Sequence, residues 1–64
     1  MNPMEIYRAL RPFTAFNEDE EPQLVEERLL LIDNIRFGWV FFYAGCTRFS
    51  LQKDHFDQFT ERLG

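Results

Sequence analysis

The stretch RFGWVFFYAGCTRF, Arg36 to Phe49, places six aromatic rings in fourteen residues, and its alternation decides how the rest of the chain is arranged. Ile35, Phe37, Trp39, Phe41 and Tyr43 alternate with Arg36, Gly38, Val40, Phe42 and Ala44, the period of two that marks a β-strand. Gly45 breaks the run. Thr47, Phe49 and Leu51 then alternate with Cys46, Arg48 and Ser50, which predicts another short strand. On this reading Phe37, Trp39, Phe41 and Tyr43 form one aromatic face that walls a core. Val40 and Phe42 lie on the other face, which two helices do not easily cover as well; if it is bare, it is the expected contact surface.

A strand needs a partner for its backbone groups, and the run before it, LVEERLLLID (Leu24 to Asp33), is the nearest one. It reads two ways. Pro22 at a first turn, with Leu24, Val25, Arg28, Leu29 and Ile32 loosely on one side, suits a helix. At period two, Val25, Leu29 and Leu31 share one face and Leu24, Leu30 and Ile32 the other. The strand is preferred because its neighbour is β-rich. Asp33 and Asn34 tolerate left-handed backbone and supply the expected hairpin turn.

Further out, TAFNEDEEPQ (Thr14 to Gln23) has no apolar period and four consecutive acids, so it reads as a loop. At the N-terminus, Asn2 as cap, Pro3 in the first turn and Glu5 reaching back predict a short helix that points Ile6, Tyr7 and Leu10 inward and ends at Pro12. At the other end Phe56, Phe59 and Leu63 recur at helical spacing, and Gly64 follows. The expected fold is α+β: a three-stranded antiparallel β-meander with an N-terminal and a C-terminal helix, in the order α-β-β-β-α.

Composition sets the frame for function. Sixty-four residues, 1–64, make a single small domain, a size at which one core stabilises itself with difficulty and oligomerisation or a partner helps. An aromatic share of 17% within 45% hydrophobic residues argues for a folded chain. One cysteine, Cys46, excludes an internal disulfide and fits a reducing compartment, so the cytoplasm is the expected location. The longest apolar runs, LLLI and WVFFYA, fall far short of the roughly 20 residues that span a bilayer, and no targeting segment is visible. Net charge is -4 and unevenly spread: residues 1–35 hold eight acids against three bases, and residues 36–64 three acids against four bases.

Little in the chain points to chemistry. Cys46 and His55 are the one thiol and the one imidazole, and a thiol catalyst would need them hydrogen-bonded with a third group orienting the base. The acids lack the alternating spacing and turn glycine of a calcium loop. Gly38, Gly45 and Gly64 are isolated, so no phosphate loop or nucleophile elbow can be written. The expectation is a non-enzyme with no catalytic, cofactor or metal site. Single-stranded nucleic acid could stack on an aromatic sheet, through Phe37 and Trp39 with Arg36 and Arg48. Few bases and a negative net charge argue against it. The acidic set Glu18, Asp19, Glu20, Glu21, Glu26 and Glu27 is better suited to docking on a basic protein surface, and together with Val40 and Phe42 it forms the expected partner-binding surface. A homodimer through a free sheet face or edge is the other alternative.

GWVFFY, Gly38 to Tyr43, preceded by LLLIDNIRF and a short N-terminal helix, resembles the small bacterial immunity proteins of polymorphic-toxin systems, in which a second strand carries a Gly-Trp-aromatic motif. Gly38, Trp39, Phe41 and Tyr43 carry the likeness. It implies a protein that binds and silences another. Phage-encoded inhibitors of host defence enzymes, anti-CRISPR proteins among them, fit the same description: small, acidic, rich in rings and without a catalytic motif.

Overall fold

Phe37 and Gly38 both adopt positive φ, 53° and 78°, and with this two-residue turn the chain reverses four positions later than Asp33 and Asn34 suggest. In the computed structural model, which describes residues 5–63, the turn joins β4 (Leu29–Arg36) to β5 (Trp39–Ala44). A second two-residue turn, with Gly45 at φ 65°, leads into β6 (Thr47–Gln52). Around this meander lie β1 (Ile6–Ala9), β2 (Phe13–Phe16), β3 (Pro22–Val25), the helix α1 (Lys53–Phe59) and β7 (Thr60–Arg62). The described residues thus form one seven-stranded antiparallel sheet in the order β3-β2-β6-β5-β4-β1-β7, with one short helix.

This overturns the expected three-stranded meander with two helices. Ile6–Ala9 is a strand because β4 and β7 hold it from both sides, Tyr7 standing opposite Leu30 and Arg62; such pairing overrides a weak helical propensity. Asn2 and Pro3, the capping signal, lie outside the described residues. The expected loop from Thr14 to Gln23 overlaps a hairpin, since Phe13 and Ala15 are buried and Thr14 and Phe16 are exposed. Four residues are too few to stand out as a period. The run from Leu24 to Asp33 is extended, but as two strands, β3 and β4, parted at Glu26 to Arg28.

Asp33 and Asn34 do not turn. Ile32 faces Phe42 and Asn34 faces Phe41, so Asp33 is an extra residue in the ladder, a bulge. Past it, Asn34 shares the face of Phe41, and Ile35 that of Val40.

The faces of β5 are the reverse of those expected. Val40, Phe42 and Ala44 are buried, Phe42 completely, while Trp39, Phe41 and Tyr43 are only half-buried. Cross-strand neighbours decide this. Val40 stands opposite Leu51, Phe42 between Ile32 and Phe49, and Ala44 opposite Leu30, so every strand adds apolar area to that side. Trp39, Phe41 and Tyr43 stand opposite Gln52, Ser50 and Arg48, groups that lose hydration when buried.

The inner face closes on α1. Phe56 is buried against Phe42 and Tyr7, with ring centroids 5.1 and 5.3 Å apart, and Phe59 stacks on Phe13 at 5.6 Å. The helix stops at Phe59, where the Thr60 hydroxyl donates to the Phe56 carbonyl at 2.7 Å and the chain extends into β7. Leu63 therefore lies beyond the helix and is exposed.

Candidate functional site: the outer face of the sheet

With α1 on one side, the opposite side of the sheet has no covering element among the described residues. Its centre is the row Trp39, Phe41, Tyr43 on β5. Register adds Ser50 and then Phe16 beside Phe41, and Leu31 and then Ile6 beside Tyr43. Phe16, Leu31 and Ile6 are 36%, 40% and 42% exposed, so four strands, β2, β5, β4 and β1, supply apolar side chains to this face, with the polar residues of β6 among them.

Arg48 ties the middle of this face together. Its guanidinium lies 4.9 Å from the centroid of the Phe41 ring, and its Nη2 donates to Oδ2 of Asp33 at 3.0 Å. It thus spans β5, from β6 to the bulge in β4. Toward the other edge Phe16 and Trp39 meet at 6.2 Å between centroids. They line an open groove of about 430 Å³ with Phe41, Ser50 and Glu20. At the end of the β4–β5 hairpin Phe37 projects with 92% of its surface exposed.

The acids divide into two groups. Glu18 to Glu21 form the β2–β3 loop, which is wound around Asn17. The Asn17 Oδ1 accepts from the backbone N–H groups of Asp19 and Glu21 at 2.9 and 3.0 Å, and its Nδ2 donates to Gln23 at 3.0 Å. Glu20 reaches the aromatic groove, and Glu18 and Asp19 border a shallow hollow beside Cys46 and Thr47. Glu26 and Glu27 follow β3, and the Glu27 carboxylate lies against Gly45, the neighbour of Cys46. Both glutamates share a depression with Arg8, Arg11 and Arg28, which offset their charge.

Val40 and Phe42, expected on a bare face, are 1% and 0% exposed. They belong to the core, because the register aligns them with the apolar residues of every neighbouring strand. The exposed apolar residues are instead Phe16, which falls in the expected loop, Leu31 and Phe37. The polar alternation of Arg48, Ser50 and Gln52 was the available signal, since it marks the side of β5 that faces water.

Cys46 sits in the β5–β6 turn and His55 on α1, with the six residues of β6, about 20 Å, between them. They do not meet. Among the described residues no three of His, Cys, Asp or Glu converge as metal ligands. Lys53 on α1 has its pKa raised by the hydrogen bond to Asp57 at 2.8 Å and by the charge of that carboxylate. No helix of the described residues is long and apolar enough to cross a membrane. No protein-family profile, curated protein or solved structure matches this chain, so the reading of its function rests on the outer face alone.

Proposed function

We propose that this protein is a non-catalytic inhibitor, of the immunity or phage anti-defence type, that binds a partner enzyme through the outer face of its sheet and occludes it. The observation that carries the reading is the row Trp39, Phe41 and Tyr43, half-exposed and continued by Phe16 and Leu31. Tyr, Trp, Phe and Arg are the residues enriched where proteins bind one another. The loop of Glu18 to Glu21 lies at the rim, with Glu20 in the groove, so the partner surface that fits is apolar with basic residues beside it. Opposite charge of this kind steers association and sets orientation. No cofactor enters this reading, and the exposed free thiol of Cys46 suits the reducing cytoplasm.

The test uses the full chain as bait in a lysate of its native host, next to a Phe41→Ser variant. An enzyme retained by the natural chain, inhibited by it at stoichiometric amounts and released by the variant supports the proposal. If no retained enzyme loses activity, the inhibitor reading fails. Because the rings face outward with Arg36 and Arg48 among them, titration of Trp39 fluorescence with single-stranded oligonucleotides runs alongside. Quenching at low salt would replace the protein partner with nucleic acid.

The projecting Phe37 beside an open groove favours a second reading, self-association of the chain.

A further inference from the structure

We propose that two copies of this chain form a two-fold dimer in which Phe37 of each enters the Phe16–Trp39–Phe41 groove of the other, with Arg36 set against Glu20. The proposal rests on the self-association reading and gives it an interface.

Phe37 bears two costs that the monomer does not offset. Its φ of 53° lies in the left-handed region, which disfavours a residue with a Cβ by about 1–2 kcal/mol. The first position of such a two-residue turn suits Asn, Asp or Gly. Its ring is also 92% exposed at the tip of the hairpin. A strained backbone that presents an apolar ring to water is the kind of outlier from which function is inferred.

The receptor is close by on the same chain. Past Gly38 comes Trp39, a wall of the groove, with Phe16 and Phe41 as the others. The groove volume of about 430 Å³ exceeds the roughly 150 Å³ of an apolar cavity that accommodates benzene. A projecting ring and an apolar groove on one copy are self-complementary. A two-fold axis lets each ring fill the other groove and closes the assembly at two copies.

Charge agrees with this pairing. Arg36, the residue before Phe37, is exposed, and Glu20 lines the groove. Neither is in an ion pair among the described residues. When Phe37 enters the groove of a second copy, the cation beside it arrives at the carboxylate on the rim.

The experiment is sedimentation velocity on the full chain over a dilution series, with Phe37→Asn, Arg36→Glu, Glu20→Arg and the double reversal R36E/E20R. Phe37→Asn suits the turn, and Phe37→Gly is a parallel variant should Asn disturb it. The natural chain is expected to dimerise and to dissociate on dilution. Both Phe37 variants are expected to stay monomeric with the circular dichroism of the natural chain. Each single reversal should weaken the dimer about tenfold or more, and the double reversal should recover most of that loss. A monomer at every concentration would remove both the interface and the self-association reading. A dimer that persists without Phe37, or a double reversal no tighter than the singles, would overturn this interface and leave self-association through another surface.

Discussion

Asp33, the residue that β4 has in excess, is held by Arg48 from two strands away, Nη2 and Nε donating to its Oδ2 at 3.0 and 3.3 Å. The same guanidinium covers Phe41, so one side chain links three strands on the face that meets solvent. Both partners are about a third exposed, and an ion pair of that exposure contributes roughly 0–1 kcal/mol. The cation–π contact adds about 0.5–1 kcal/mol. Arg48→Ala is therefore expected to lower stability in urea denaturation by about 1 kcal/mol. The loss should shrink in high salt, which screens the ion pair.

The two faces of β5 differ sharply in what a truncation costs. Phe42 is fully buried and its ring meets those of Phe13, Phe49 and Phe56, so Phe42→Ala should cost about 3–5 kcal/mol. For so small a domain that is most of the stability available. Phe41→Ala, one residue away on the open face, should leave a cooperative unfolding transition. Thermal denaturation of the two variants side by side checks the assignment, and equal losses would contradict it.

The Phe37–Gly38 turn gives a prediction of opposite signs at adjacent positions. A Cβ on Gly38 would meet nothing within 4 Å, so Gly38→Ala is penalised only for its φ of 78°, by about 1–2 kcal/mol. Phe37→Asn relaxes the neighbouring position and should raise the monomer melting temperature. A difference of 1 kcal/mol corresponds to about 4–8 °C in a domain of this size. Melting curves at a concentration where the chain is monomeric read this directly.

Asn17 holds four adjacent carboxylates in one loop through its side-chain hydrogen bonds to Asp19, Glu21 and Gln23. Asn17→Ala should cost about 1 kcal/mol and raise hydrogen exchange at the amides of Asp19 to Glu21, while the amides of β5 stay protected. If exchange in the loop does not change, like-charge repulsion there is balanced by something other than Asn17.

Much of the central meander was legible in the sequence. The alternation from Trp39 to Ala44, the break at Gly45 and the strand after it stand in the structure, whereas the expected strand from Ile35 to Ala44 is cut by the turn at Phe37 and Gly38. The sense of the faces was not legible from β5 alone. Rings are the strongest apolar signal in the chain, yet Trp39, Phe41 and Tyr43 face solvent because their neighbours across β6 are polar. The turn was misplaced because Asp33 and Asn34 carry the chemistry of a turn and use it for a bulge. β1 and β2 were missed because four-residue strands are defined by pairing with distant segments, and no local pattern records it. The candidate site inherits these errors: Val40 and Phe42, expected at the surface, lie in the core, and of the six acids Glu20 lines the aromatic groove.

β1 lies between β4 and β7, with Tyr7 opposite both Leu30 and Arg62, so a strand of residues 6–9 is flanked on one side by residues made more than fifty positions later. Pairings of such long separation close slowly, on the order of milliseconds to seconds. While residues 60–62 are still in the ribosomal tunnel, β1 keeps an open edge. β7, the strand that finishes the sheet, is thus made after all of β5 and its aromatic row.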